Sequence, residues 1–157
     1  MCIRDNTYPI ETKFWKSHNY LASYYSKIQD KLGLLGKSTP YFYYYTNNDF
    51  FLPKEYIFSI SGWIITPSSE GLYERDESWT VDLELSKTFI KKLKCKLKVN
   101  DIFNTLKYPE RLTFNNINSD GIWFTNYRRI ALSIKYSFGE IKTANYKNKE
   151  IDTGNRL

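Results

Sequence analysis

The sequence has few of the residues that mark several common protein classes. Of its 157 residues, seven are glycine, five are proline and two, Cys2 and Cys95, are cysteine. Two cysteines make no disulfide framework, and so little glycine and proline excludes a collagen-like or low-complexity chain. No run of about 18 apolar residues occurs, which excludes a transmembrane helix but not membrane strands, since these need only about 9–11 residues with every second one apolar.

The remaining composition is that of an ordinary folded domain rich in aromatic residues. Aromatic side chains make up 18% of the sequence, and the net charge is +6. A surplus of this size permits an anionic partner but does not require one, because net charge affects solubility and steering more than fold. Residues 1–6 contain no basic region followed by an apolar run, so we expect no secretion signal within them.

Alternation of apolar and polar residues predicts six β-strands, and helix signals are almost absent. In residues 129–138 one face carries Ile130, Leu132, Ile134, Tyr136 and Phe138, while the other is polar apart from one alanine. The same alternation occurs in residues 79–86 and 92–99. Less regular faces are found in the other three predicted strands, residues 15–27, 41–51 and 56–65.

The predicted connections alternate between short and long. Four residues, 52–55, separate the second and third strands, and about three, 89–91, separate the fourth and fifth. The other connections, residues 28–40, 67–77 and 104–122, are longer and polar. Short turns at one end and long loops at the other are typical of an outer-membrane barrel. The sequence therefore predicts an all-β fold, an antiparallel up-and-down meander of about six strands that forms an incomplete arc of a transmembrane β-barrel.

The polar faces of the fourth and fifth strands are the most charged feature of the sequence. A hairpin around Ile90 pairs Asp82 with Lys98 and Glu84 with Lys96, and such cross-strand pairs stabilise a sheet by about 0.2–1 kcal/mol each. We interpret this face as a solvated surface, of which a water-filled lumen is one example, rather than as a nucleic-acid groove. The lumen-facing candidates for solute contact are Asp82, Glu84, Lys94, Lys96 and Lys98.

The other reactive residues form no recognisable site. His18 is the only histidine and has no metal ligand at suitable spacing, while Cys95 lies on the apolar face of its strand. The acidic residues Glu74, Asp76 and Glu77 flank Arg75 without the spacing of a calcium loop. We therefore expect no catalytic residue, metal or cofactor. Girdle positions at strand ends are predicted for Trp15, Trp123, Tyr136 and Phe138.

Four segments in order resemble a known family. They are residues 50–54 (FFLPK), 59–63 (SISGW, followed by Pro67-Ser68), 99–105 (VNDIFNT) and 128–139 (RRIALSIKYSFG). Together they resemble the C-terminal end of TonB-dependent outer-membrane receptors and, more narrowly, the outer membrane protein beta-barrel family. The resemblance runs from about Trp15 to the C-terminus, where Asn155-Arg156 also matches.

Membership would imply a 22-stranded barrel in the outer membrane of a Gram-negative bacterium, filled by an N-terminal plug and driven by TonB for nutrient uptake. The plug, the TonB box and most strands are missing from this sequence. We therefore expect a C-terminal fragment whose partners are outer-membrane lipid, the missing N-terminal strands, the plug domain and, through the full-length receptor, the TonB system. No nucleic acid is expected as a partner.

The resemblance also suggests how the chain is divided. Residues 1–14 are expected to form a loose N-terminal segment, residues 15–138 the barrel strands and residues 139–157 a polar periplasmic tail. An alternative is a soluble antiparallel β module that binds a ligand or protein and packs its apolar face as a core. A basic nucleic-acid binder is a third possibility, which steeply salt-dependent binding to oligonucleotides would support.

Overall fold

The computed structural model describes residues 2–27, 38–89, 92–114, 116–124 and 126–138. Within them lie eleven strands and one 3-10 turn, Pro53–Glu55. The strands are β1 Cys2–Glu11, β2 Trp15–Tyr25, β3 Tyr41–Leu52, β4 Tyr56–Ile65, β5 Ser68–Glu70, β6 Tyr73–Arg75, β7 Ser78–Phe89, β8 Leu93–Asn100, β9 Tyr108–Phe114, β10 Ile117–Trp123 and β11 Arg129–Tyr136. The predicted tail, residues 139–157, lies outside the described residues.

Seven long strands form one antiparallel sheet, here called the wall. Its order is β1-β2-β3-β4-β7-β8-β11, so wall strands that follow one another along the chain are paired, and β1 and β11 form the two edges. The all-β class, the up-and-down meander and the open arc are confirmed. The number of wall strands is seven rather than six, because the six predicted strands are joined by β1.

The expectation of a loose N-terminal segment was wrong for residues 2–11. Strand β1 pairs with β2 along its whole length, from Cys2 opposite Tyr25 to Glu11 opposite Lys16. The ladder of backbone hydrogen bonds that joins two strands does not depend on apolar side chains. Both faces of strand β1 carry polar and charged residues, so its sequence lacks the alternation by which the other strands were found.

A second sheet forms from the long connections, which the sequence had predicted as loops. The β5–β6 hairpin interrupts the connection between β4 and β7, and the β9–β10 hairpin interrupts the one between β8 and β11. Strands β6 and β9 pair with each other, which gives a four-stranded sheet of order β10-β9-β6-β5, here called the loop sheet. It stands at the long-loop end of the wall, opposite the short turns.

One face of the wall is apolar and largely uncovered. Register places six apolar side chains side by side across it: Trp15, Phe50, Phe58, Leu85, Leu97 and Leu132. On the edge strand β11, Ile130, Leu132 and Ile134 are 75%, 70% and 66% exposed. Among the described residues the only buried apolar side chains are Ala22 and Leu106, so the apolar face does not serve as the core of a soluble protein. No helix within the described ranges has the length and apolar character needed to cross a membrane.

The apolar face contains one polar interruption, on β2 and β3. Asn19 accepts hydrogen bonds from the hydroxyls of Tyr44 (2.8 Å) and Thr46 (2.9 Å) and donates one to Ser17 (2.9 Å). Asn48 donates to Thr46 and accepts from the indole N–H of Trp15. The polar atoms satisfy one another, which lowers the free-energy cost of placing them among apolar side chains.

Candidate functional site

The charged residues predicted to face a lumen lie together on the polar face of the wall. Lys98 Nζ is 3.2 Å from Asp82 Oδ2, and Lys96 Nζ is 2.8 Å from Glu84 Oε1. The two predicted ion pairs are therefore present. The predicted register was wrong by two residues, because Glu84, rather than Asp82, lies opposite Lys98. The long lysine side chains reach the carboxylates diagonally across the strands, a distance that such side chains can span.

The fifth candidate, Lys94, lies apart from these ion pairs. Its Cα is opposite Thr88 on β7 and Lys135 on β11. Together with Lys92 and Ser137 these residues line a cleft at the short-turn end of the wall. The polar face therefore carries balanced charge near its middle and an excess of lysine toward the short turns.

Asp82 is held in a buried polar cluster and is only 7% exposed. Its carboxylate accepts hydrogen bonds from Asn100 Nδ2 (2.6 Å) and from the backbone N–H of Asp101 (2.9 Å). Arg129 Nε in turn donates to Asn100 Oδ1 (3.3 Å). The carboxylate of Asp82 is thus occupied by hydrogen bonds that stabilise the end of β8. Because it is also buried, Asp82 is the least accessible to a solute of the five candidates.

Asp101 fixes the turn that follows β8. Its carboxylate accepts from the backbone N–H and the hydroxyl of Thr105 (2.9 and 3.2 Å) and from the N–H of Leu106 (3.1 Å). Burial raises the pKa of this carboxyl, but the hydrogen bonds outweigh burial and the net pKa is lowered. Asp101 also has a left-handed backbone, with φ of 49°. The sequence reasoning assigned no role to Asn100 or Asp101, although both lie in the segment VNDIFNT that carried the resemblance.

An aromatic cluster on the polar face was missed by the sequence reasoning. Tyr20, Tyr43 and Trp63 contact one another in turn, and Tyr108 of the loop sheet continues the series, here called the aromatic row. Consecutive ring centroids are 6.0, 6.2 and 6.3 Å apart. Beside it, Tyr24 stacks on Tyr41 with centroids 5.1 Å apart. The alternation of Tyr41, Tyr43 and Tyr45 on one face of β3 was the signal that could have revealed this cluster.

A cavity of about 170 Å³ adjoins the aromatic row where the wall meets the loop sheet. Tyr41 and Ile65 of the wall line one side, and Arg75, Tyr108 and Glu110 of the loop sheet line the other. Arg75 donates to Glu110 (2.8 Å) and Glu70 (3.2 Å). These hydrogen bonds, of which the one to Glu110 is strongest, raise the pKa of Arg75. The cavity thus combines aromatic rings with fixed hydrogen-bonding groups.

The remaining candidates stay separate from this surface. His18 is exposed on β2 opposite Asn47, and Cys95 is a half-buried free thiol on the apolar face. Glu74 lies on β6, 3.5 Å from Arg111. In the part of the chain that is described, no group of three or more His, Cys, Asp or Glu residues could hold a metal ion.

The predicted girdle residues divide between the two sheets. Trp15 and Tyr136 lie at the short-turn end of the wall, and the ring of Phe138 contacts that of Tyr136 with centroids 4.7 Å apart. Trp123 ends β10 in the loop sheet and so is not on a wall strand.

Comparison with known proteins gives one match. The model of the outer membrane protein beta-barrel family matches residues 6–136, a stretch that covers all of the wall except the start of β1. No curated protein and no solved structure matches the chain. The antiparallel wall, its exposed apolar face and its alternating short and long connections are features of transmembrane β-barrels. The chain therefore belongs to the outer membrane protein beta-barrel family.

Proposed function

We infer that this chain forms part of the barrel wall of a TonB-dependent outer-membrane receptor and serves in nutrient uptake. The observation that carries the proposal is the apolar face, uncovered over a seven-stranded meander in a chain of this family. Side chains of this kind are stable when lipid covers them. The four segments that resemble the C-terminal end of TonB-dependent receptors support the narrower assignment.

In this proposal the two faces of the wall have different solvents. Ile130, Leu132 and Ile134 face outer-membrane lipid, while Glu84 and Lys96 face the interior through which a solute moves. The short turns lie in the periplasm and the loop sheet lies outside the cell, as the loop lengths of such barrels favour. The plug domain would contact the polar face, and TonB would act on the plug rather than on this wall.

A receptor barrel requires more strands than the wall contains. Strands β1 and β11 each pair with a single described neighbour, and an unpaired edge in lipid leaves backbone groups without hydrogen bonds. Seven strands are also fewer than the eight of the smallest bacterial barrels. We therefore propose that the remaining strands of a longer receptor pair with these two edges.

Cysteine labelling tests the membrane assignment. In a background lacking Cys2 and Cys95, Leu132→Cys and Ser133→Cys place single thiols on opposite faces of β11. In outer membranes, a lipid-soluble maleimide should label Leu132→Cys and a membrane-impermeant maleimide should label Ser133→Cys. Equal labelling of both variants by the impermeant reagent would refute a lipid-facing wall.

The TonB dependence requires a separate test. Cells that carry the receptor containing this chain should lose uptake of its solute when TonB is deleted or when the proton-motive force is collapsed. Uptake that continues under both conditions would leave the barrel assignment intact and contradict the assignment as a TonB-dependent receptor.

A further inference from the structure

The aromatic row lies on the polar face of the wall, opposite to the face on which the aromatic girdles of membrane barrels are found. Aromatic girdles of such barrels face the lipid interfaces, whereas Tyr43 and Trp63 share the face of Ser78 and Thr80 on the neighbouring strand. The main packing partners of β3 among the described elements are its two sheet neighbours, β2 and β4. Apart from the contact between Trp63 and Tyr108 of the loop sheet, the rings of the wall are therefore not explained as a core covered by a second layer.

The row is long and is continued beyond the wall. It crosses β2, β3 and β4 and reaches Tyr108 on the loop sheet, whose ring plane is within 17° of that of Trp63. The hydroxyl of Tyr108 keeps its proton at neutral pH, as the usual tyrosine pKa of about 10 implies, and can donate a hydrogen bond; burial raises its pKa further. An extended solute could contact several rings in succession from the loop sheet toward the wall.

Polar groups of both signs stand beside the rings in fixed positions. Arg75 is bound by both Glu70 and Glu110, which orients the guanidinium and the two carboxylates. Asp76 also lines the cavity, so three carboxylates stand beside one cation. Ser78 lies in the same cavity, where its hydroxyl donates to the carbonyl of Lys107 (2.6 Å). Such groups suit a ligand with many hydroxyls, because the carboxylates accept hydrogen bonds and the guanidinium donates them. The excess of carboxylates disfavours an anionic ligand.

We propose that the aromatic row and the adjoining cavity form a binding site for a neutral oligosaccharide. A sugar ring has a face of C–H groups that packs on an aromatic ring and an edge of hydroxyls that bonds to groups such as Arg75 and Glu110. Few binding sites need both features at once, and both are present here. This inference rests on the proposed function in one respect, since it requires the polar face to line the path of a solute.

Oligosaccharide binding can be measured by the tryptophan fluorescence of the full chain in outer-membrane vesicles. The probes are a panel of neutral hexasaccharides that differ in linkage and sugar, and at least one should give a saturable change. Tyr43→Ala should weaken that binding by about tenfold, in line with the contribution of one aromatic contact. Tyr43→Phe keeps the ring and should bind nearly as well as the unmodified chain.

The matched control lies on the same strand and on the other face. Phe42→Ala removes an aromatic ring from the apolar face of β3 and should leave binding unchanged. If Tyr43→Ala disrupts assembly, Tyr108→Ala removes a ring from the loop sheet without altering the wall and should also weaken binding by several fold.

Three results would overturn the inference: no hexasaccharide binds, Phe42→Ala weakens binding as much as Tyr43→Ala, or planar aromatic compounds bind and the sugars do not. The maleimide pattern on β11 distinguishes this failure from that of the proposed function. Correct labelling without sugar binding rejects only the oligosaccharide site. Reversed or equal labelling rejects the membrane wall itself.

Discussion

The carboxylate of Asp101 should control whether the turn after β8 opens. It accepts three hydrogen bonds, two from Thr105 and one from Leu106, and its neighbour Ile102 donates to the carbonyl of Val81. Replacement by alanine removes both acceptor oxygens, and with them all three hydrogen bonds, and leaves the backbone N–H groups of Thr105 and Leu106 without this partner. Alanine also fits the positive φ of this position less well than aspartate or asparagine.

The expected size of the effect follows from these contacts. A hydrogen bond to a charged group contributes about 1.5–3 kcal/mol, and three bonds to one carboxylate are not fully additive. We expect Asp101→Ala to lower the free energy of opening the turn by about 3 kcal/mol, which is about a hundredfold in the opening constant. Asp101→Asn keeps an oxygen that accepts from Thr105, but its amide nitrogen is a donor and would face the N–H donor of Leu106. We therefore expect Asp101→Asn to raise the opening constant about tenfold.

Hydrogen exchange measured by mass spectrometry is the appropriate assay, because it reports local opening. A peptide covering residues 101–107 should exchange about a hundred times faster in Asp101→Ala, while residues 56–65 of β4 should not change. If the peptide exchanges within threefold of the unmodified rate, the three hydrogen bonds do not hold the turn and the reasoning fails.

The same assay has a pH dependence with a definite sign. The pKa of Asp101 is lowered in the folded chain, so its stabilisation is present above the unfolded value of about 3.9 and is lost as the pH falls through the folded pKa. After correction for intrinsic exchange, protection of the turn should be constant from neutral pH to about 4 and should decrease below it. Asp101→Asn should remove this decrease.

Two other substitutions test the wall. A Cβ on Gly62 would lie 2.7 Å from the backbone oxygen of Thr80, so Gly62→Ala should lower the free energy of urea unfolding in lipid vesicles by about 1–3 kcal/mol. The control is Gly121→Ala, whose Cβ would be 3.9 Å from its nearest neighbour. An equal loss of stability in the control would contradict the argument. Lys96→Gln removes a partly exposed ion pair with Glu84 and should lower the free energy of unfolding by less than about 1 kcal/mol. This difference should vanish in high salt. A larger loss of stability that does not depend on salt would show that the pair is not screened as its exposure implies.

Alternation predicted the wall strands well where the two faces meet different solvents. Strand β11 has apolar residues at every second position, all on one face of the wall. The ion pairs of β7 and β8 were predicted from charged residues that alternate in the same way on the other face. Strand β1 was missed because both of its faces carry polar residues. Strands β5, β6, β9 and β10 were missed because three to seven residues with little alternation resemble an ordinary polar loop.

The candidate site was only partly predictable. Glu84 and Lys96 were found because like residues recur at every second position, but register depends on the turn between β7 and β8, and a pair offset by two residues gives the same alternation. The aromatic row was missed because its rings come from Tyr20, Tyr43, Trp63 and Tyr108, which are far apart in the sequence. Their proximity is a consequence of strand pairing and cannot be read from any single segment.

The pairing of β6 with β9 makes one mechanical unit of two loops that are distant in sequence. Tyr73, Glu74 and Arg75 are hydrogen-bonded in register with Leu112, Arg111 and Glu110, so neither hairpin can swing away without breaking this ladder. If one hairpin moves, the other must therefore move with it, or the hydrogen bonds between β6 and β9 must break. An insertion in either hairpin that changes the register of this ladder would therefore alter the position of the other hairpin as well.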